Sequence, residues 1–342
     1  MPDGEPLIQV KNLKKYFPLT GGVFRRLLGY VRAVDDVTFD IYKGETLGLV
    51  GESGCGKTTA GRTIIKLLHP TSGEIFFEGT DISDLRGGAL KEFRREMGIV
   101  FQDPMASLDP RVTIKSAVGE PLLVNGIARG YKLRDMVLDL LQKVGLTEDH
   151  LNRFPHEFSG GQRQRICIAR ALALRPKFIV MDEPTSSTDV SVQAQTLNLM
   201  KDLQNEFDLT YLFISHNLSV VKHMSDRVAV MYLGKIVEMT PKDIFQEALH
   251  PYSAALVSAV PVPDPSLKGR AEVLAGEVPS AISPPTGCRF HPRCRFAKDI
   301  CNEEVPELRD VGDSHLVACH FAGELDLGYK EELDYESALA AG

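Results

Sequence analysis

Eight consecutive residues have the types and spacing of a loop that binds the phosphates of a nucleotide. They follow the pattern Gly, four residues, Gly, Lys and then Ser or Thr, and they are Gly51, Glu52, Ser53, Gly54, Cys55, Gly56, Lys57 and Thr58. Glycines let successive backbone N–H groups wrap a phosphate chain, and a following helix adds partial positive charge. We expect Lys57 to reach the terminal phosphates, Thr58 to bind Mg²⁺ and Thr59 to complete the nucleotide contacts.

The surroundings of this loop agree with that interpretation. An apolar run at residues 46–50 precedes it, and residues 60–68 have the composition of a helix, so the order is strand, tight loop and helix. A chance glycine-rich turn is the alternative. A strand and a helix on the two sides favour the nucleotide site.

Polar side chains follow three further apolar runs, as ligands do at the edge of an α/β sheet. We expect Gln102 to reach Mg²⁺ or a water, Asp182 to hold Mg²⁺, and Glu183 to polarise an attacking water. His216 is the next polar group predicted at this edge, although a single histidine is more often structural. The apolar runs are residues 97–101, 178–181 and 210–214.

A second anion site is predicted at residues 159–162. Ser159 is a natural helix N-cap, and Gly160 and Gly161 expose the backbone N–H groups of the first turn, with Gln162 beside them. A plain glycine-containing helix cap is the alternative. It does not explain why a second phosphate-type site occurs in a chain with one phosphate loop.

Composition narrows the class of protein. The 342 residues are 25% charged and 43% apolar, as in ordinary globular proteins, and the net charge of −7 argues against a nucleic-acid partner. No apolar run approaches the roughly 18 residues needed to cross a bilayer, and the first five residues do not resemble a signal peptide. We therefore expect a cytosolic chain whose link to a membrane goes through a partner.

The remaining sequence predicts several further elements. A helical region is expected at about 104–175, and the insertion at residues 18–32 is expected to be a solvated loop, with a membrane or partner contact as the alternative. Strands are predicted at residues 7–17, 33–42 and 74–77, and a hairpin at 227–232 and 235–239.

Taken in order, these motifs resemble those of the nucleotide-binding subunits of ABC transporters, over residues 7–250. The resemblance implies an α/β P-loop ATPase with a RecA-like core, an antiparallel β subdomain and a helical subdomain. It also implies a head-to-tail dimer in which residues 51–58 of one subunit and 159–162 of the other enclose ATP, with Asp189 at the same site. One subunit alone should hydrolyse ATP poorly.

Longer segments are similar to the ATPases of oligopeptide/dipeptide importers. Those ATPases, as sister subunits or as two copies, drive two membrane permeases fed by an extracellular substrate-binding protein, which implies a peripheral site on the cytoplasmic face of the membrane. The resemblance makes Phe17 a better candidate than Tyr16 for stacking on adenine. Thr188 departs from the usual Leu before Asp189. The segments are residues 101–104, 155–165, 189–195 and 250–252.

The C-terminal segment is rich in proline and cysteine. Cys288, Cys294, Cys301 and Cys319 are separated by five, six and seventeen residues, which is not the spacing of common zinc sites. From the residues alone, zinc, an iron–sulfur cluster and unmetallated thiols stay open, with His291 and His320 as alternative ligands. The importer resemblance implies a [4Fe-4S] cluster.

We therefore expect an ATPase domain at 1–258, a cysteine-bearing extension at 259–320 and an acidic tail at 321–342. The predicted function is ATP hydrolysis that powers peptide import. An importer ATPase for nickel or sugar, a soluble ABC-type ATPase and a metal-sensing module with a vestigial ATPase are the alternatives. A thiol at Cys55 further predicts that alkylation blocks hydrolysis and that bound ATP protects.

Overall fold

The computed structural model describes residues 4–21, 26–186, 190–241, 244, 246–260 and 276–327. Its framework is an eight-stranded sheet in the order β11-β12-β10-β9-β3-β8-β7-β6 and a four-stranded sheet in the order β2-β1-β4-β5. The strands are β1 (Pro6–Gly21), β2 (Arg26–Tyr42), β3 (Thr46–Val50), β4 (Ser72–Phe77), β5 (Thr80–Asp81), β6 (Met97–Val100), β7 (Phe178–Asp182), β8 (Thr210–Ser215), β9 (Arg227–Tyr232), β10 (Lys235–Pro241), β11 (Arg309–Asp310) and β12 (Leu316–Val317).

Five neighbouring strands, β9, β3, β8, β7 and β6, are parallel. β3, β7 and β8 are buried along their whole length. Their continuous apolar sequences are typical of parallel strands covered on both faces, which is why their positions are predictable. Two apolar clusters cover the two faces, one on the side of the helices and one between this sheet and the four-stranded sheet.

Ten α-helices lie within the described residues. They are α1 (Lys57–Ile64), α2 (Gly87–Arg95), α3 (Pro104–Ser107), α4 (Ile114–Val124), α5 (Gly130–Lys143), α6 (Gly160–Leu172), α7 (Val190–Phe207), α8 (Leu218–Met224), α9 (Pro251–Ser258) and α10 (Asp299–Glu303). Four of them, α3 to α6, lie in the region predicted to be helical, and α4, α5 and α6 pack on one another. None of the helices in the described ranges has the length and hydropathy that a bilayer span requires.

The insertion expected at residues 18–32 is not a loop where it is described, so that prediction is wrong. β1 and β2 continue through it as paired antiparallel arms, with Pro18 opposite Tyr30. Pro18 is tolerated because the pairing of β1 with β4 ends at Lys14, which leaves β1 as an edge strand beyond that point. The side chains of Leu28 and Tyr30 are exposed, as expected of a solvated element.

The hairpin predicted near residue 233 is confirmed, since β9 and β10 pair antiparallel. The C-terminal extension then adds β12 to β10, with Glu238 opposite Val317, and β11 to β12. Phe290 of the extension is buried in the main apolar cluster against Tyr252 of α9. The described part of the extension therefore shares its sheet and core with the rest of the chain.

Candidate functional site

The phosphate loop connects β3 to α1, in the order that the sequence predicts. Gly51 and Gly56 have φ angles of 150° and 112°, which favour glycine. A Cβ atom at Gly51 would overlap the carbonyl oxygen of Met231, and one at Gly56 would overlap that of Ala33. The loop passes so close to the neighbouring backbone at these two positions that only glycine fits there.

Lys57 lies across this loop. Its buried ammonium donates hydrogen bonds to the carbonyl oxygens of Gly51, at 2.7 Å, and Glu52, at 3.0 Å. The positive charge is thus held over the concave side of the loop, where a phosphate chain would lie.

Cys55 is a buried thiol inside the loop, 3.8 Å from the Lys57 ammonium. Burial raises the pKa of the Cys55 thiol, against the opposing effect of the Lys57 charge. The thiolate is the species that reacts with alkylating agents. The alkylation expected from the sequence stays a prediction, and the structure indicates that it is slow.

Two adjacent carboxylates follow the apolar run of β7. Asp182 is fully buried and accepts a hydrogen bond of 2.7 Å from the Thr58 hydroxyl. It also accepts one of 3.2 Å from Arg62 on α1. The end of β7 is therefore joined to the start of the phosphate-loop helix.

Glu183 is the point where polar groups from three strand ends meet. Its Oε2 atom accepts a hydrogen bond of 2.9 Å from the Gln102 side-chain amide and lies 3.2 Å from Nδ1 of His216. Its φ angle of 48° is in the left-handed region, which is uncommon for residues other than glycine. The structure thus brings Gln102, Glu183 and His216 together beside Asp182.

The segment at residues 159–162 begins α6. Ser159 caps the helix, since its Oγ accepts from the backbone N–H of Gln162 at 3.3 Å and Gln162 Oε1 accepts from the Ser159 N–H at 3.1 Å. Gly160 faces open space, whereas a methyl group at Gly161 would overlap Val192 of α7. The helix begins at Gly160, directly after the predicted N-cap Ser159, and the capping box fixes its first turn.

These four residues are not brought to the phosphate loop of the same chain. No hydrogen bond or ion pair joins residues 159–162 to residues 51–58 within the described part of the structure. Asp189 and Thr188 lie outside the described residues, as does most of the acidic tail.

The two aromatic residues of β1, Tyr16 and Phe17, have different surroundings. The Tyr16 hydroxyl donates a hydrogen bond to Asp35, and burial together with that carboxylate raises the pKa of Tyr16 to about 12. Because strand side chains alternate, Phe17 faces the opposite side, where its half-buried ring lies 5.0 Å from the Lys15 ammonium. The Tyr16 ring is held in place by its hydrogen bond to Asp35. Phe17 is therefore the aromatic side chain of the pair that is available to stack on a ligand.

The four cysteines of the extension line one pocket, with His291 and His320 also in its wall. All four are free thiols. Burial raises the pKa of Cys288 and of Cys319 to about 11, with repulsion between the neighbouring thiolates as a further cause. Among the described residues, no three His, Cys, Asp or Glu side chains are arranged to hold a single metal ion.

Contacts between the extension and the phosphate loop were missed by the sequence analysis. Arg293 forms two hydrogen bonds to the Glu52 carboxylate, at 2.6 and 3.0 Å, and the Glu52 N–H donates to the Tyr252 hydroxyl at 2.8 Å. Arg289 forms an ion pair with Asp35. These partners are about 200 residues or more apart in the chain, so no local pattern points to them.

Two family models match the chain. The model described as ABC transporter matches residues 34–186, and the model described as oligopeptide/dipeptide transporter, C-terminal region, matches residues 237–301. The second match covers three of the four cysteines, and also Arg289 and Arg293.

Curated relatives match almost the whole chain. An oligopeptide transport ATP-binding protein, AppF of Bacillus subtilis, is 54% identical over 320 residues, which are 92% of this chain and 97% of that protein. A probable peptide ABC transporter ATP-binding protein of Sinorhizobium fredii is 51% identical over 318 residues, 92% of this chain and 90% of its own.

Solved structures match the ATPase part. The ATP-binding cassette MJ0796, as a dimer after hydrolysis with ADP and phosphate bound, is 30% identical with a TM-score of 0.61. The match covers 69% of this chain and 98% of that one.

Proposed function

Because the chain belongs to the ABC transporter ATP-binding proteins, with their P-loop ATPase fold, we propose that it is the ATP-hydrolysing subunit of a peptide importer. The observation that supports this proposal most directly is the pair of adjacent carboxylates at the end of β7, each of which is held by side chains from other elements. Asp182 is bonded to Thr58 of the phosphate loop, and Glu183 is held by Gln102 and His216.

The phosphate loop would provide the main binding site for ATP. The triphosphate would lie along residues 51–58, where the backbone N–H groups and the Lys57 ammonium neutralise its charge. Thr59, the next residue of α1, would complete the contacts with the nucleotide. Phe17 would stack on the adenine ring. Thr58 and Asp182 would hold Mg²⁺, with Gln102 near them, and that ion would offset charge on the β- and γ-phosphates.

Hydrolysis requires a water aligned with the γ-phosphate. We assign Glu183 the role of accepting a hydrogen bond, and then the proton, from this water as its oxygen attacks the phosphorus and the bond to ADP breaks. Gln102 and His216 would orient the Glu183 carboxylate, since both lie on the same oxygen atom.

The second phosphate contact would come from another subunit. Residues 159–162 are not joined to the phosphate loop of their own chain, and Gly160 faces open space. A head-to-tail pair would place the N-terminus of α6 on the γ-phosphate of the partner's ATP, with Asp189 at the same interface. Hydrolysis removes that shared charge, so the pair would open again and move two permease subunits.

The remaining partners follow from the relatives. The curated proteins similar to this chain are named as peptide and oligopeptide transport ATP-binding proteins. They support peptide over nickel or sugar as the cargo, and a transporter over a soluble ATPase. An extracellular substrate-binding protein would deliver the peptide, and the chain would lie on the cytoplasmic face of the membrane.

We also infer that the four-cysteine cavity holds a [4Fe-4S] cluster. A single zinc ion needs its thiolates at about 2.3 Å, and the described residues contain no such tight group. Cys288, Cys294, Cys301 and Cys319 line one pocket from several sides, and four thiolates around one space are the ligand set of such a cluster. Protein purified without air should contain iron and acid-labile sulfide in equal amounts, and Cys301→Ser should lose both. Zinc in place of iron contradicts the cluster.

The transport function is tested by purifying the tagged chain from its native host in detergent. We expect permease subunits to co-purify, and labelled peptides to be taken up by vesicles that contain the complex and its binding protein. A fully active soluble homodimer without permeases would favour the soluble ATPase. Uptake of nickel or sugar but not peptide would contradict the cargo.

A further inference from the structure

We propose that Arg293 is a positioning residue for ATP: from the C-terminal extension it neutralises Glu52 inside the phosphate loop. The inference rests on the proposed function, because it takes residues 51–58 as the ATP site. It adds a role for the extension that is separate from any group bound by the cysteines.

Glu52 is fixed on three sides. Its N–H donates to Tyr252 at 2.8 Å, its carbonyl accepts from Lys57 at 3.0 Å, and its carboxylate accepts two hydrogen bonds from Arg293. The Arg293 side chain is only 5% exposed and that of Glu52 27% exposed. A paired fork of this kind has one geometry, so it fixes both the position and the charge of Glu52.

The charge of Glu52 is unfavourable for the ligand. A carboxylate in the second position of a phosphate loop repels the phosphate chain that the loop must bind, and low exposure reduces the screening of that repulsion. The Arg293 guanidinium cancels it. Lys57 neutralises the Glu52 carboxylate less effectively, because its ammonium is shared between two carbonyl oxygens and the expected phosphates.

The extension is rigidly placed for this contact. Four residues before Arg293, Arg289 is buried in an ion pair with Asp35 and also donates to the carbonyl of Leu233. Between the two arginines, Phe290 packs against Tyr232 and Tyr252. Residues 289–293 are therefore anchored to the ATPase part independently of Glu52.

The test is calorimetric binding of MgATP and MgADP to the full-length chain. Arg293→Gln should weaken MgATP binding by about tenfold, the effect of about 1.4 kcal/mol, and MgADP binding by less because ADP carries less charge. Arg293→Lys should lie between, since an ammonium keeps the charge but loses the fork. The double variant Glu52→Gln/Arg293→Gln should return to within about twofold of wild type, because no unpaired carboxylate remains.

Arg295→Gln is the matched control. This exposed arginine lies two residues further on and stacks on Phe296 at 4.6 Å, and we expect its replacement to leave ATP binding unchanged. Wild-type binding by Arg293→Gln, or a double variant as weak as the single one, would overturn the inference. The double variant also distinguishes loss of charge pairing from misfolding. If Arg293 were needed only for packing, the double variant would still bind MgATP weakly. Failure of wild type to bind ATP would instead overturn the proposed function.

Discussion

The hydroxyl of Thr58 donates a hydrogen bond of 2.7 Å to Oδ1 of Asp182, and this contact joins the phosphate loop to the end of β7. Asp182 is fully buried and also pairs with Arg62, so its position is fixed before any ligand binds. Two oxygen atoms suited to Mg²⁺ are thus held side by side by the protein alone.

Replacing the Thr58 hydroxyl should uncouple this pair. Thr58→Val keeps the shape but removes the oxygen, and we expect Mg²⁺-dependent ATP hydrolysis to fall by at least about tenfold. Thr58→Ser retains the oxygen and should retain most of the activity. Phosphate release measured across a Mg²⁺ titration checks this, and equal activity of the Val and Ser variants contradicts it.

Glu183→Gln should separate binding from hydrolysis. The amide keeps the size of the side chain but cannot accept the proton of the attacking water, so phosphate release should fall by about 10²- to 10⁴-fold. ATP binding should persist, since Glu183 is not part of the phosphate loop. Glu206→Gln, an exposed carboxylate paired with Lys143, is the control. Unchanged turnover in Glu183→Gln would favour a vestigial ATPase.

The two glycines that begin α6 should differ when changed to alanine. A methyl group at Gly161 would overlap Val192, a stiff β-branched side chain, and should cost about 1–3 kcal/mol of folding stability. Gly160→Ala meets no atom within 4 Å and should fold normally. Urea denaturation of both variants compares them, and equal stability means that α7 adjusts.

Gly160→Ala should instead act between subunits. If the open face of Gly160 receives the partner's ATP, the added methyl should lower the ATPase activity of the assembled complex without changing ATP binding by the isolated chain. Full activity in the complex would contradict the shared site.

How far the sequence predicts this fold depends on how local each signal is. β3 is predicted at its observed bounds, because the run of five residues from Thr46 to Val50, which has no charged side chain, lies between a turn and the phosphate loop. β12 is not predicted, since two residues carry no periodicity and only β10 defines them as a strand. The pairing of Arg293 with Glu52 spans 241 residues, and neither residue type is unusual in its own segment.

The same distinction applies within the site. Strand ends at Gln102, Asp182 and His216 predict a common edge because parallel strands finish on one side of a sheet. That Gln102 and His216 share a single oxygen of Glu183 depends on side-chain conformations and on the left-handed backbone at Glu183, which the sequence does not encode in a recognisable pattern.

Cys55 should be alkylated slowly. Its thiol is 3% exposed, and burial raises its pKa, so little thiolate forms near neutral pH. Modification should speed up under mild denaturation and slow down further with ATP bound. Mass spectrometry of the labelled peptide over time measures this, with Cys55→Ser as the control for inhibition. Rapid labelling of the native protein contradicts the buried position.

His250 should make the stability of the protein depend on pH. The residue is 1% exposed, and its Nδ1 atom accepts a hydrogen bond of 3.1 Å from the N–H of Tyr252 at the start of α9, so the ring is neutral. Burial lowers the pKa of His250 to about 4, opposed in part by the charge of Glu238. The unfolded chain takes up the proton near the ordinary value of about 6.5, whereas the folded chain does not.

The contribution of His250 is therefore fully present above the unfolded pKa and is lost as the pH falls toward the folded pKa. We expect a loss of about 2 kcal/mol in the free energy of unfolding between about pH 7 and pH 5. His250→Asn keeps a cap for α9 but does not titrate, so its stability should change less over this range. Urea denaturation at both pH values, with the exposed His156→Asn as control, measures the difference. Equal pH dependence in wild type and His250→Asn would mean that other groups cause the loss, because the asparagine side chain does not titrate.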